Sequence, residues 1–121
     1  MVDMAIVGDW TLHYDWGCTG NYAQVGITFN NDGTFSIPAE GNSGRWVQND
    51  GMILFQYDIQ FDTFNTTYGG NLAGNVMAGM SSTFAAGLVN GCWYAIKVGS
   101  STMLVEERKP EFDTSGKKVK Q

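Results

Sequence analysis

His13 is the only histidine in the chain, and Asp15 follows it by two residues. On a strand that spacing puts both on one face, as a general base and a carboxylate partner would need. No nucleophile can be placed beside them from the sequence, so an ordinary surface histidine is the simpler account of His13. Asp58 and Asp62 also share a face. A glycosidase pair needs two carboxyls across a cleft, one with a raised pKa; a solvated face running into a turn is the simpler account of these two. Asp32-Gly33 and Asp50-Gly51 read as turns, because the other ligand positions of a calcium loop do not fit. One His and two distant cysteines, Cys18 and Cys92, give no zinc spacing. Asn65-Thr66-Thr67 matches a glycosylation sequon, which matters only in a secreted eukaryotic protein. No catalytic residue, metal or cofactor is assigned.

Aromatic residues are the stronger signal. Tyr14, Trp16, Trp46, Phe55, Tyr57, Phe61, Tyr68 and Trp93 fall on nominally inward faces of strand-like segments. Two readings stand side by side: these rings fill a small barrel, or some of them line a cavity. Buried Tyr and Trp want partners for their polar tips. A cluster of Tyr14, Trp16, Tyr57 and Tyr68 at one rim would suit an aromatic, amphipathic or cationic small molecule.

The elements that must position these residues alternate with a period of two. Residues 4–16 place Met4, Ile6, Gly8, Trp10, Leu12, Tyr14 and Trp16 on one face. Further strands are expected at 21–30, 34–37, 44–49, 52–61, 64–69, 72–80, 91–99 and 102–108, with turns at Asn31-Asp32-Gly33, Asn49-Asp50-Gly51 and Gly70-Asn71. In 72–80, Leu72, Gly74, Val76, Ala78 and Met80 are expected to face inward together. Pro38 has no N–H to donate and ends its strand. Residues 81–90 read as a loop or one helical turn. Eight or nine short strands with tight connections and essentially no helix predict an all-β, single-domain antiparallel up-and-down meander closed into a barrel over residues 1–108. Residues 109–121 read as a mobile tail.

In such a meander the first and eighth strands meet at closure. Cys18 follows the first strand and Cys92 opens the eighth, so the two are predicted to be close, as a disulfide or as two thiols.

A length of 121 residues suits one domain that buries roughly two-thirds of its unfolded surface. At 43% hydrophobic and 16% charged, the chain is too apolar for disorder. A net charge of −5 argues against nucleic acid as a partner. No apolar run reaches the ~20 residues of a membrane span, and the first residues lack a signal peptide's basic and apolar regions. The expectation is a soluble cytoplasmic protein, with a mature secreted chain as the alternative.

Gly8-Asp9-Trp10 on the first strand of a meander barrel resembles the calycins, which include lipocalins, fatty-acid-binding proteins and avidins. The resemblance implies a ligand-binding barrel. It also implies a basic residue packed over the Trp near the end of the barrel, with Arg108 or Lys97 as the match. The connection at 17–20 is too short for the helical lid of fatty-acid-binding proteins.

The leading functional reading is a non-enzymatic barrel that binds a small apolar, aromatic or amphipathic ligand in its interior. A second is a solid barrel that forms a homodimer through outward Met52, Leu54, Met77 and Tyr94. A third and weaker one, suggested by some lipocalin-like barrels, is an enzyme with an Asp or His at the barrel mouth.

Overall fold

A computed structural model of the chain describes residues 5–58, 63–85 and 90–99. Within them, eight antiparallel strands follow one another in chain order and close into a barrel. They are β1 (Gly8–Trp16), β2 (Ala23–Phe29), β3 (Thr34–Ile37), β4 (Asn42–Asn49), β5 (Met52–Tyr57), β6 (Thr67–Ala73), β7 (Val76–Ser82) and β8 (Asn90–Lys97). β8 returns to pair with β1 from Trp10↔Lys97 to Trp16↔Gly91. No described residue is helical, and no helix among them could cross a membrane.

The barrel has two unlike ends. β2–β3, β4–β5 and β6–β7 are joined by tight turns at one end. There Gly33, Asp50 and Gly74 take positive φ, and Gly33 and Asp50 belong to the Asp-Gly pairs read from the sequence. The other end carries the connections after β1, β3, β5 and β7; that after β3 is as short as the β2–β3 connection, and the other three are longer.

The tight-turn end is shut by the residues preceding β1. Ile6 is fully buried in the core cluster. Its N–H donates to Gln48 Oε1 (3.2 Å), and its carbonyl accepts the Trp10 indole N–H (2.8 Å). Lys97 Nζ lies 5.8 Å from the centre of the Trp10 ring and donates to the Ala5 carbonyl (3.3 Å). Gly8 adopts φ +133°, and a Cβ there would stand 3.1 Å from Lys97 Cε. A side chain at position 8 would be strained on both counts. Arg108, the other candidate for the place over Trp10, lies outside the described residues.

Above this plug the interior is packed with rings. Phe55 sits among Phe29, Phe35, Trp93 and Tyr68, with centroids 4.8 to 5.5 Å apart. Most contacts are edge-on, whereas Phe55 and Tyr68 stack face to face. Buried Trp46 and Trp93 donate their indole N–H groups to the carbonyls of Asn30 and Met80 (each 2.9 Å). No buried side-chain polar atom among the described residues lacks a partner.

At the long-connection end, Cys18 and Cys92 form a disulfide with Cα atoms 5.2 Å apart, tying the connection after β1 to β8.

Three expectations are corrected. Strand β1 begins at Gly8 rather than Met4, because residues 5–7 turn across the closed end. The strand expected from Phe64 begins at Thr67 instead, and Phe64 is half exposed on the connection before it. The largest correction concerns the span 67–82. Gly-Asn occurs at both 70–71 and 74–75, and the chain turns at the second pair. Directly opposed residues share a face, and across a two-residue turn a residue's partner has the opposite parity. Leu72 therefore pairs with Met77, and both point inward. Met77, expected on an outer face, is fully buried; Met80, expected inside, is 56% exposed. The expected strand at 102–108, the tail at 109–121 and Phe61 lie outside the described residues.

Candidate functional site

The long-connection end holds an open cleft of about 230 Å³. Its walls come from five places in the chain. Tyr14 and Trp16 occupy inward positions at the end of β1, and Tyr57 is the last residue of β5. Tyr68 enters from β6, with Thr66 and Phe64 on the connection before it. Thr83 and Ala85 follow β7, and Glu40 reaches in from the connection between β3 and β4. Tyr14, Trp16, Tyr57 and Tyr68 are there because a strand alternation that buries rings lower in the barrel runs on to the rim, where the interior is no longer filled.

The rings lean on one another. Trp16 and Tyr68 meet edge-on at 6.3 Å, Tyr57 and Tyr68 are tilted at 6.2 Å, and Tyr57 also touches Phe35 at 5.7 Å. Tyr68 stacks on Phe55, which makes the packed core the floor of the cleft. One wall is laced by polar contacts. The hydroxyls of Thr66 and Thr83 bond at 2.9 Å, and the Phe84 N–H donates to the Phe64 carbonyl (2.9 Å). The connections before β6 and after β7 thus hold each other.

Two phenols in the cleft are pushed above the ordinary tyrosine value. For Tyr57 burial is the main cause, followed by neighbouring Tyr68, which also hydrogen-bonds to it, and the negative charge of Glu40. For Tyr14 burial comes first and the Glu40 charge second. Both remain protonated O–H groups across the physiological range, able to donate or accept.

The residues considered for acid–base chemistry lie elsewhere. His13 projects from the outer wall and stacks on Tyr94 at 4.4 Å, with the rings 9° from parallel; Tyr22 packs against the other ring of that pair at 5.2 Å. Asp15 is buried beneath the connection after β1. It accepts from Thr19 Oγ1 (3.0 Å) and the Gly20 N–H (2.7 Å), while its carbonyl accepts the Cys18 N–H (3.2 Å). Burial pushes its carboxyl up, but the hydrogen bonds from Gly20, Thr19 and Asn21 together outweigh it and hold the group below the usual value. Asp15 is a staple for the connection that carries Cys18. Asp58 accepts from Ser43 Oγ (3.0 Å), and Asp62 lies outside the described residues. Among the described residues no three His, Cys, Asp or Glu side chains are grouped closely enough to hold a metal ion.

Of the aromatics singled out in the sequence, Tyr14, Trp16, Tyr57 and Tyr68 line the cleft. Trp46, Phe55 and Trp93 belong to the packed core beneath it. Glu40, Thr83 and Ala85 sit on connections, where no periodicity marks a face; Phe64 and Thr66 fall in the expected strand 64–69 but were not singled out, and they lie on the connection before β6. On the outer wall Met52 and Leu54 are exposed, Tyr94 is partly covered by His13, and Met80 takes the place expected for Met77. Compared with family models, with curated proteins and with solved structures, the chain gives no match.

Proposed function

We propose that the protein is a non-enzymatic binder of a small molecule, which it holds in the cleft at the open end of the barrel. One observation carries this reading: four aromatic side chains from three strands converge on an open cleft above a packed core, while the opposite end is plugged. A barrel with rings only for packing has no need of a concave, partly wet aromatic surface. At about 230 Å³ the cleft falls below the roughly 300–1,000 Å³ usual for drug-sized ligands. The ligand is therefore about one ring in size and sits at the mouth rather than deep inside. Gly8-x-Trp10 with Lys97 over the Trp ring supports a calycin-like reading of the barrel. The disulfide favours the secreted alternative over a cytoplasmic location, because the cytosol keeps thiols reduced.

The test is an NMR titration with single-ring aromatic compounds. Shifts should centre on the Trp16 indole N–H and weaken in Tyr57→Leu. Shifts confined to the outer wall would refute the reading.

A specific observation also favours a second reading, homodimerisation. The outward positions of β5 to β8 carry no charged residue, and Val47, Leu54, Gly69 and Met80 form one cross-strand row. Charge depletion with exposed Met is the composition of an interface core. Sedimentation equilibrium tests it: a dimer that Leu54→Lys converts to monomer supports the reading, and a monomeric native protein removes it.

A further inference from the structure

We infer that the ligand of the cleft is a small organic cation, a primary or quaternary ammonium carried on a group of about one ring. The inference rests on the cleft being a binding site and adds the charge of what it binds.

The first ground is the charge inventory. Glu40 is the only charged side chain among the described residues lining the cleft. In sequence, the four connections at the open end (17–22, 38–41, 58–66 and 83–89) contain Glu40, Asp58 and Asp62 and no Lys, Arg or His. The described cationic side chains lie elsewhere. Arg45 is exposed midway along β4, and Lys97 is at the closed end over Trp10. An anionic ligand would meet no countercharge among the described residues here, and the net charge of −5 would repel it further.

The second ground is the kind of wall. Three tyrosines and a tryptophan present ring surfaces whose faces are electron-rich, and such faces attract ammonium groups most strongly when partly shielded from water. The core closes the floor, so an ammonium seated here would be screened on several sides. The third ground is the supply of acceptors. A primary ammonium has three N–H donors and no acceptor. Tyr14, Tyr57, Thr66, Thr83 and Glu40 all line the space, and each carries an oxygen that can accept. Burial is the main cause of the upward displacement of both phenols and the Glu40 charge adds to it; that same negative field favours a cation.

A neutral aromatic of the same shape is the rival. The experiment uses three probes of one shape: 2-phenylethylammonium, 2-phenylethanol and phenylacetate, titrated into the full chain at neutral pH by calorimetry and by NMR. The ammonium should bind about three- to thirtyfold more tightly than the alcohol, with phenylacetate weakest. Glu40 is exposed on a connection, so Glu40→Gln should fold normally; it should cut the preference for the ammonium severalfold, as should raised salt. Tyr57→Leu should weaken every probe that binds. If the alcohol binds as well as the ammonium, or if Glu40→Gln leaves the preference intact, the cation inference falls and the cleft survives as a site. If none of the three probes binds at the Trp16 end, both fall together.

Discussion

Met77 and Met80 stand three residues apart on β7 and point to opposite sides of the barrel wall. Replacing each by alanine should have very different costs. Met77 is fully buried and packs with the inward face of β6 through its partner Leu72. The alanine variant loses Cγ, Sδ and Cε, which at about 0.8 kcal/mol per buried group is about 2.4 kcal/mol. The cavity left behind adds to this, since the neighbouring rings cannot fully collapse into it, and the total falls in the ~2–5 kcal/mol range of buried Met→Ala changes. Met80 is 56% exposed, and its truncation should stay within about 0.5 kcal/mol. Urea unfolding with the disulfide intact would give both values, with the slope checked for constancy so that midpoints can be compared. The Met77→Ala melting point should fall by about 10 °C or more. Met77→Leu should cost less than about 1.5 kcal/mol, because it keeps the volume. A larger loss for Met80→Ala than for Met77→Ala would refute the argument. It would reverse the face of every residue in β7.

Three further outcomes are expected. Replacing both Cys18 and Cys92 by serine opens a loop spanning 74 residues and should cost up to about 4 kcal/mol in the chain-entropy account, read from the same urea curves; a change below about 1 kcal/mol would mean that the bridge contributes little to closure. Asp15 has a folded pKa below its unfolded value, so its contribution is fully present above about pH 4 and is lost as the pH falls through the folded pKa. Melting curves taken down to about pH 2 should show a shallower acid loss in Asp15→Asn than in the native chain, and an unchanged acid limb would remove the carboxyl from this role. Gly79→Ala should destabilise by about 1–3 kcal/mol or more, because its Cβ would run into the Gly69 carbonyl oxygen and come within 2.6 Å of Gly70 Cα; Gly26→Ala, with nothing within 4 Å, should be tolerated far better, and equal losses in denaturant titrations would contradict the close approach of β6 and β7.

The barrel was legible in the sequence wherever a two-residue alternation ran between unambiguous turns. Trp10 and Leu12 on β1, Ile27 and Phe29 on β2, and Ile53 and Phe55 on β5 all face inward. Legibility failed where two identical Gly-Asn signals lay four residues apart. Period alone could not choose between them, because small residues on both faces left no apolar contrast to set the register. The site shows a second kind of limit. Alternation says which face a ring occupies but not how high along the barrel it sits. Phe55 and Tyr57 are equivalent by period, yet one is core and the other rim. Height is set by cross-strand pairing, as when Trp46↔Phe55 lies two steps below Gly44↔Tyr57. That information is non-local and appears only once the meander closes.

Closure also explains why the two ends can do different work. At the shut end, Trp10 bonds to Ile6 and Ile6 to Gln48, while Lys97 lies over the Trp10 ring and bonds to the Ala5 carbonyl; together they seal the core from water. The tight turns there leave no room for insertions. The open end has three longer connections, and these are held by a few discrete ties: the disulfide, the Asp15 hydrogen bonds and the Thr66–Thr83 pair. Each tie fixes a connection without filling the space beside it. A mouth can therefore change its lining at Glu40, Phe64 or Ala85 while the ring-filled core below carries the stability. Tyr57 and Tyr68 belong to both parts, since each packs on a core ring and borders the cleft. Substitutions at these two positions should couple binding to stability, whereas substitutions at Glu40 should change binding alone.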